Sequence, residues 1–128
     1  MVRSQMAEAI YNKLTNSHDA TSAGTYVGHP DEPEGRRLTY IVGMGEIIEY
    51  MKKRGMDIGE RHTRTITPGM VNQADVVVSM AEEPFVPSFI KDNRKIIVWG
   101  VENDDPTEKK YNEIYPLVKA LIQDFLDK

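Results

Sequence analysis

The sequence predicts an α/β sandwich, and three features carry that prediction. Asp75-Val76-Val77-Val78-Ser79-Met80 is too continuous in its apolar character to alternate between a wet and a dry face, which is how a parallel strand covered on both sides reads. Ile96-Ile97-Val98-Trp99 is a second such run, ended by Gly100. Helical periodicity surrounds them, most clearly over 107–126. There Tyr111, Ile114, Tyr115, Val118, Leu121, Ile122, Phe125 and Leu126 make a stripe wide enough to cover one face of a sheet.

The other elements follow in chain order. A first helix is expected over 4–14, with Ser4 as its N-cap and Met6, Ala9, Ile10 and Leu14, flanked by Ala7, on one face. Arg3 then stands at the positive end of a helix, beside backbone N–H groups that lack intrahelical acceptors. A guanidinium fork next to such amides suits a phosphate or similar oxyanion; the plainer alternative is a solvated arginine beside a cap. Asn16-Ser17-His18-Asp19 forms the exit, and a short strand is expected over 20–23. Glycines and prolines from 26 to 37 exclude regular structure. A second helix fits 45–54, with Ile47, Ile48 and Met51 inward and Gly55 as its C′ stop. Gly43-x-Gly45 follows no strong strand and reads as helix entry rather than a nucleotide loop. Thr67-Pro68 opens a short helix ending near Ala74, proline being tolerated at the first position. A helical turn is expected over 85–90. Pro116, inside the last stripe, should remove one hydrogen bond and kink the helix or mark a restart. Tyr111 and Tyr115 belong to that stripe and read as packing residues.

Composition sets the bounds. With 128 residues, 40% hydrophobic and 28% charged, one domain over 1–128 is expected. A net charge of −4 with no basic stripe gives no reason to expect nucleic-acid binding, so no nucleic-acid partner is expected. No apolar run approaches the roughly 18 residues of a membrane span, and no signal-peptide pattern opens the chain, so no membrane partner and a cytoplasmic location are expected. The count of cysteines is 0, which removes disulfides, thiolate metal sites and a thiol nucleophile from these residues. His18, His29 and His62 show no metal-ligand spacing, so neither a metal nor a cofactor is expected.

Arg3-Ser4-Gln5-Met6-Ala7-Glu8-Ala9 resembles the end of the signature loop of the low-molecular-weight protein tyrosine phosphatases and their arsenate-reductase relatives. That loop runs Cys, five residues, Arg, then Ser or Thr, and Met1 and Val2 occupy the last two of the five positions. Ser22-Ala23-Gly24-Thr25, Gly55-Met56-Asp57-Ile58, Ala74-Asp75-Val76-Val77-Val78-Ser79-Met80 and Asp105-Pro106 follow in the family's order, so the resemblance covers essentially the whole chain. It implies a three-layer sandwich around a short parallel sheet of strand order 2-1-3-4, with the first strand and most of the phosphate-binding loop missing. The expectation is that the chain begins inside its own active-site loop, Met1 being an internal methionine taken as a start. Loss of an interior strand implies unpaired edges at 20–23 and 75–80, hence low stability, closure of the gap or a strand-exchanged dimer.

For chemistry, the resemblance implies that Val2, Arg3 and Ser4 bind phosphate and that Ser4 also hydrogen-bonds the cysteine thiolate. Asp105, directly before Pro106, would be the general acid that protonates the leaving oxygen and then activates water. Asp104 would raise its proton affinity by like-charge repulsion; the plainer reading is two carboxylates that start a helix. The partner implied is phosphate or a phosphorylated substrate, small molecule or phosphoprotein. Thr107 replaces the aromatic residue that follows Asp-Pro in many phosphatases, which weakens the case for phosphotyrosine preference. Ala81-Glu82-Glu83-Pro84 stands where thioredoxin-coupled arsenate reductases carry relay cysteines, so that relay is excluded. Arg61-His62 reverses a His-Arg pair of relatives, and His62 reads as a surface residue. The expected function is phosphate monoester hydrolysis through a cysteinyl-phosphate in the intact family, with this chain inactive as given. The alternative is a non-catalytic phosphate-sensing or interaction module. A small nucleotide-binding protein is disfavoured by the incomplete glycine-rich loop.

Overall fold

A computed structural model describes residues 2–23, 35, 37–38, 44–80, 88–91, 95–102 and 106–126. Helix α1 (Val2–Thr15) begins ahead of Ser4, so Ser4 lies within its first turn and is not its N-cap. The helix ends where Asn16 takes a left-handed φ of 51°. The Asn16 N–H donates to Lys13 O at 3.3 Å and the Ser17 N–H reaches back to Asn12 O at 2.9 Å, a Schellman closure. Helix α2 (Gly45–Lys52) closes the same way, with Gly55 at φ 81°. Here the N–H groups of Gly55 and Met56 donate to Lys52 O and Met51 O, both at 3.0 Å. A Cβ on Gly55 would also lie 2.6 Å from Lys13 Nζ, so α1 and α2 meet at a position that only glycine fits without adjustment.

Helix α3 (Pro68–Gln73) starts as the sequence suggests, with Thr67 Oγ1 accepting from the Met70 N–H at 3.2 Å. Its far end is served from a distance. Lys95 Nζ donates to the carbonyls of Val71, Asn72 and Ala74 at 3.3, 3.1 and 2.8 Å, placing a cation at the negative end of the helix. Lys95→Met is expected to cost about 1 kcal/mol, because three carbonyls lose a charged donor but remain within reach of water. Urea denaturation measures the loss, and faster amide exchange confined to α3 would locate it.

Strand β1 (Val77–Ser79), helix α4 (Ser88–Lys91) and strand β2 (Ile96–Val98) form a parallel crossover unit. The register pairs Val77 with Ile96, Val78 with Ile97 and Ser79 with Val98. Val77 N–H to Lys95 O and Trp99 N–H to Ser79 O, at 3.2 and 3.0 Å, extend the ladder at its two ends. Helix α5 (Thr107–Leu126) runs unbroken through Pro116, so the proline neither stops nor restarts it.

The core is made mainly by helices. Met6, Ala9 and Ile10 of α1, Ile47 and Met51 of α2, and Ile114 and Val118 of α5 are buried together, joined by Leu38, Met44, Met56, Ile58 and Val101. Tyr111 and Tyr115 pack against this cluster as the stripe implied. The Arg54 guanidinium lies 3.6 Å from the Tyr50 ring centroid and 5.1 Å from that of Tyr111, tying the end of α2 to α5. Burial and the neighbouring Tyr115 push the Tyr111 hydroxyl above its ordinary range, while Arg54 opposes them.

Three further expectations fail. The two strands are not buried on both faces: Val77–Ser79 is half-buried throughout, and Val98 is 72% exposed. A β-branched run reports strand propensity, and burial depends on what covers it. Leu14 falls on the apolar stripe of α1 yet is 42% exposed, in the last turn of the helix. Residues 20–23 form no strand. Asn12 takes both main-chain groups of Ala20 instead, its Nδ2 donating to Ala20 O at 3.1 Å and its Oδ1 accepting from the Ala20 N–H at 2.9 Å. One amide side chain thus supplies the pair of bonds a neighbouring strand would have made. Most of the 26–37 loop, Gly43, Gly24-Thr25, the first part of the 85–90 turn, and Asp104 and Asp105 lie outside the described residues, as do the side chains of Val2, Phe125 and Leu126.

Candidate functional site

The first turn of α1 holds three of the four positions predicted for the site. Val2, Arg3 and Ser4 are its first helical residues, so their N–H groups have no acceptor within the helix. Ser4 is half-buried. Arg3 is buried, at 6% exposure, and is not the solvated arginine of the plainer reading. Its Nη1 donates to the Val101 carbonyl at 2.7 Å, a short, charge-assisted bond. The guanidinium therefore points at the segment that leads into Asp104-Asp105-Pro106. On the other side of that segment, the Pro106 carbonyl accepts from the Lys110 N–H at 3.0 Å as α5 begins, and α5 packs on α1. Thr107, the residue after Pro106, is buried as the first residue of α5.

Sequence reading missed the polar side of α1. Glu8 pairs with Arg61 and accepts from Ser22 Oγ at 3.4 Å. Burial and the like charge of Arg64 both lower the proton affinity of Arg61, which is paired with Glu8. Gln5, Glu8 and Asn12 recur at helical spacing beside the apolar stripe, and that spacing was the available signal. His62 is exposed, as expected. Its backbone forms an antiparallel bridge with Arg37, flanked by Leu38 N–H to Arg61 O and Gly35 N–H to Thr63 O, both 2.8 Å.

An Arg-Ser helix start bonded to the segment before Pro106, in a chain that also holds a parallel strand–helix–strand unit, belongs to the class of α/β domains. Comparison with known proteins narrows the class. Residues 1–97 match the family model described as Low molecular weight phosphotyrosine protein phosphatase, and the chain belongs to that family. It is similar to Arsenate reductase 2 of Staphylococcus haemolyticus, 28% identical over 96% of this chain and 86% of the relative. An arsenate reductase of Staphylococcus epidermidis is 27% identical over the same shares. Among solved structures, the low molecular weight protein tyrosine phosphatase from T. tengcongensis superposes with a TM-score of 0.65 at 26% identity, covering 95% of this chain and 90% of that one. Vibrio vulnificus Wzb, solved in complex with benzylphosphonate, superposes at 0.71 with 18% identity over 95% of this chain and 90% of its own; that likeness concerns the fold alone. The α/β class read from the sequence is the fold these neighbours share. No helix among the described residues is long and apolar enough to cross a membrane.

Proposed function

We propose that this chain is a phosphatase-type oxyanion domain that binds phosphate at the start of α1 and performs no turnover by itself. The observation that carries the reading is Arg3. It is buried at the start of α1 and bonded to Val101, inside a chain whose family is that of the phosphotyrosine phosphatases. In this reading the N–H groups of Val2, Arg3 and Ser4 and the Arg3 guanidinium orient a phosphate, and Asp105 carries the proton for the leaving group. Asp105 follows Val101 by four residues, a reach of at most about 14 Å in extended chain, which supports its working beside Arg3. Cysteinyl-phosphate chemistry needs a thiolate, and the 128 residues contain 0 cysteines. The arsenate-reductase relay needs more than one, so the likeness to those enzymes carries over as fold and oxyanion class, not as a redox route.

The partner in this reading is phosphate or a phosphorylated substrate. Neither nucleic acid nor membrane has a role, the location is cytoplasmic, and a strand-exchanged dimer is the expected form if β1 pairs outside its own chain. The missing thiol equally favours a non-catalytic phosphate-sensing module, and affinity separates the two. Purified protein is expected to show no hydrolysis of p-nitrophenyl phosphate above background, with weak, millimolar-range phosphate shifts at the Ser4 to Met6 amides by NMR. Hydrolysis that disappears in Arg3→Ala would overturn the inactive reading. Micromolar phosphate binding at the same amides would establish the sensing module instead.

A further inference from the structure

A cleft of about 280 Å³ opens beside α1, away from Arg3 and Ser4, lined by Gln5, Glu8, His18, Arg61, His62 and Arg64 together with Asn12 and Ala20. Most of its polar groups are engaged with one another. Asn12 is taken up by Ala20, and Glu8 by Arg61 and Ser22. Gln5 is different. This lining residue is 4% exposed, and its Oε1 is buried without a hydrogen-bond donor. A buried acceptor left in that state is costly, and a donor brought by a ligand removes the cost.

Charge supplies the second requirement. Glu8 offsets Arg61, whereas the Arg64 guanidinium makes no ion pair or hydrogen bond among the described residues and repels Arg61. The cleft therefore has a surplus positive charge, carried by Arg64 beside the Arg61 fork, and guanidinium groups are well matched to tetrahedral oxyanions. What fits is an anion that also carries a proton to donate. We propose that this cleft binds hydrogen phosphate, its hydroxyl donating to Gln5 Oε1 and its charged oxygens accepting from Arg64 and Arg61. Neither Arg3 nor Ser4 lines the cleft, so the inference stands apart from the reading of the α1 terminus.

The test is an NMR titration of the full 128-residue chain with inorganic phosphate at neutral pH and constant ionic strength, following the Gln5 side-chain NH₂ pair and the Arg64 Nε–H. Saturating shifts are expected at both groups. Arg64→Ala and Gln5→Met should each weaken binding by about fivefold or more, and Lys95→Met, outside the cleft lining, should leave it within about twofold. Sulfate has the same shape but no proton at this pH, and should bind about fivefold or more weakly to the unaltered protein. Absence of saturation up to about 50 mM phosphate would overturn the proposal, since such a site would have no useful affinity. Saturation abolished by Arg3→Ala but kept in Arg64→Ala would assign the ion to the α1 terminus and refute this cleft. Equal affinity for sulfate would refute the bond to Gln5.

Discussion

Ile10→Ala is expected to remove about 2–5 kcal/mol of folding stability. Ile10 is 1% exposed and sits in the buried cluster with Met6 of its own helix and Ile114 and Val118 of α5, which packs directly on α1. Truncation removes buried methyl and methylene groups, and the neighbours, belonging to separate rigid helices, collapse only partly into the space. Domains of this size have about 5–15 kcal/mol in total, so this one side chain stands for a large share. The effect should be pronounced because the core is a junction of helices with few strand residues inside it. Urea denaturation should show a lower midpoint with an unchanged slope. Leu14→Ala, on the same helix but 42% exposed, is the control and should stay within about 0.5 kcal/mol. Equal effects at the two positions would contradict the α1–α5 contact.

Arg3→Met is expected to cost about 1.5–3 kcal/mol, the range for a hydrogen bond to a charged group with a buried partner left behind. Methionine keeps most of the stem packing, so the loss isolates the polar end of the side chain. The Val101 carbonyl, in a residue only 4% exposed, would then lack the donor that Arg3 supplies at 2.7 Å. A second readout separates this from a general loss of packing: the amides of 99–102 should shift and exchange faster, while those of α3 stay unchanged. If stability and the 99–102 signals both remain as in the parent, the guanidinium–carbonyl bond does not exist in solution.

Much of the architecture could be read from residues alone, and the reasons are local. The range of α5 follows from a long apolar stripe, and α3 from Thr67-Pro68, because periodicity and capping are properties of the segment itself. Gly55 announced the end of α2 for the same reason. The failures concern partners distant in sequence. Nothing near Ala20 indicates that Asn12 will take its backbone bonds, and nothing near Val98 indicates that its side chain will stay exposed. Ser4 looked like a cap because cap preference and first-turn tolerance overlap for serine. Arg3 was correctly placed at the head of the first helix, but its contact lies 98 residues away, beyond any local pattern. The cleft beside Gln5 has no local signature beyond the polar positions 5, 8 and 12 that flank the apolar stripe of α1, because Arg61 and Arg64 reach it from a distant part of the chain.

The bond between Arg3 and Val101 joins the first turn of α1 to the segment before α5. That bond does not use up the guanidinium, because Nη1 alone carries two hydrogens and the fork has five N–H donors. In the proposed reading an anion at the α1 terminus is therefore held without displacing the carbonyl, and the bond to Val101 orients the arm before the anion arrives. Fixing the arm beforehand removes an ordering cost that a loose arginine would meet on binding. The carbonyl of a residue 98 positions away thus acts as a rest for the arm of the first helix.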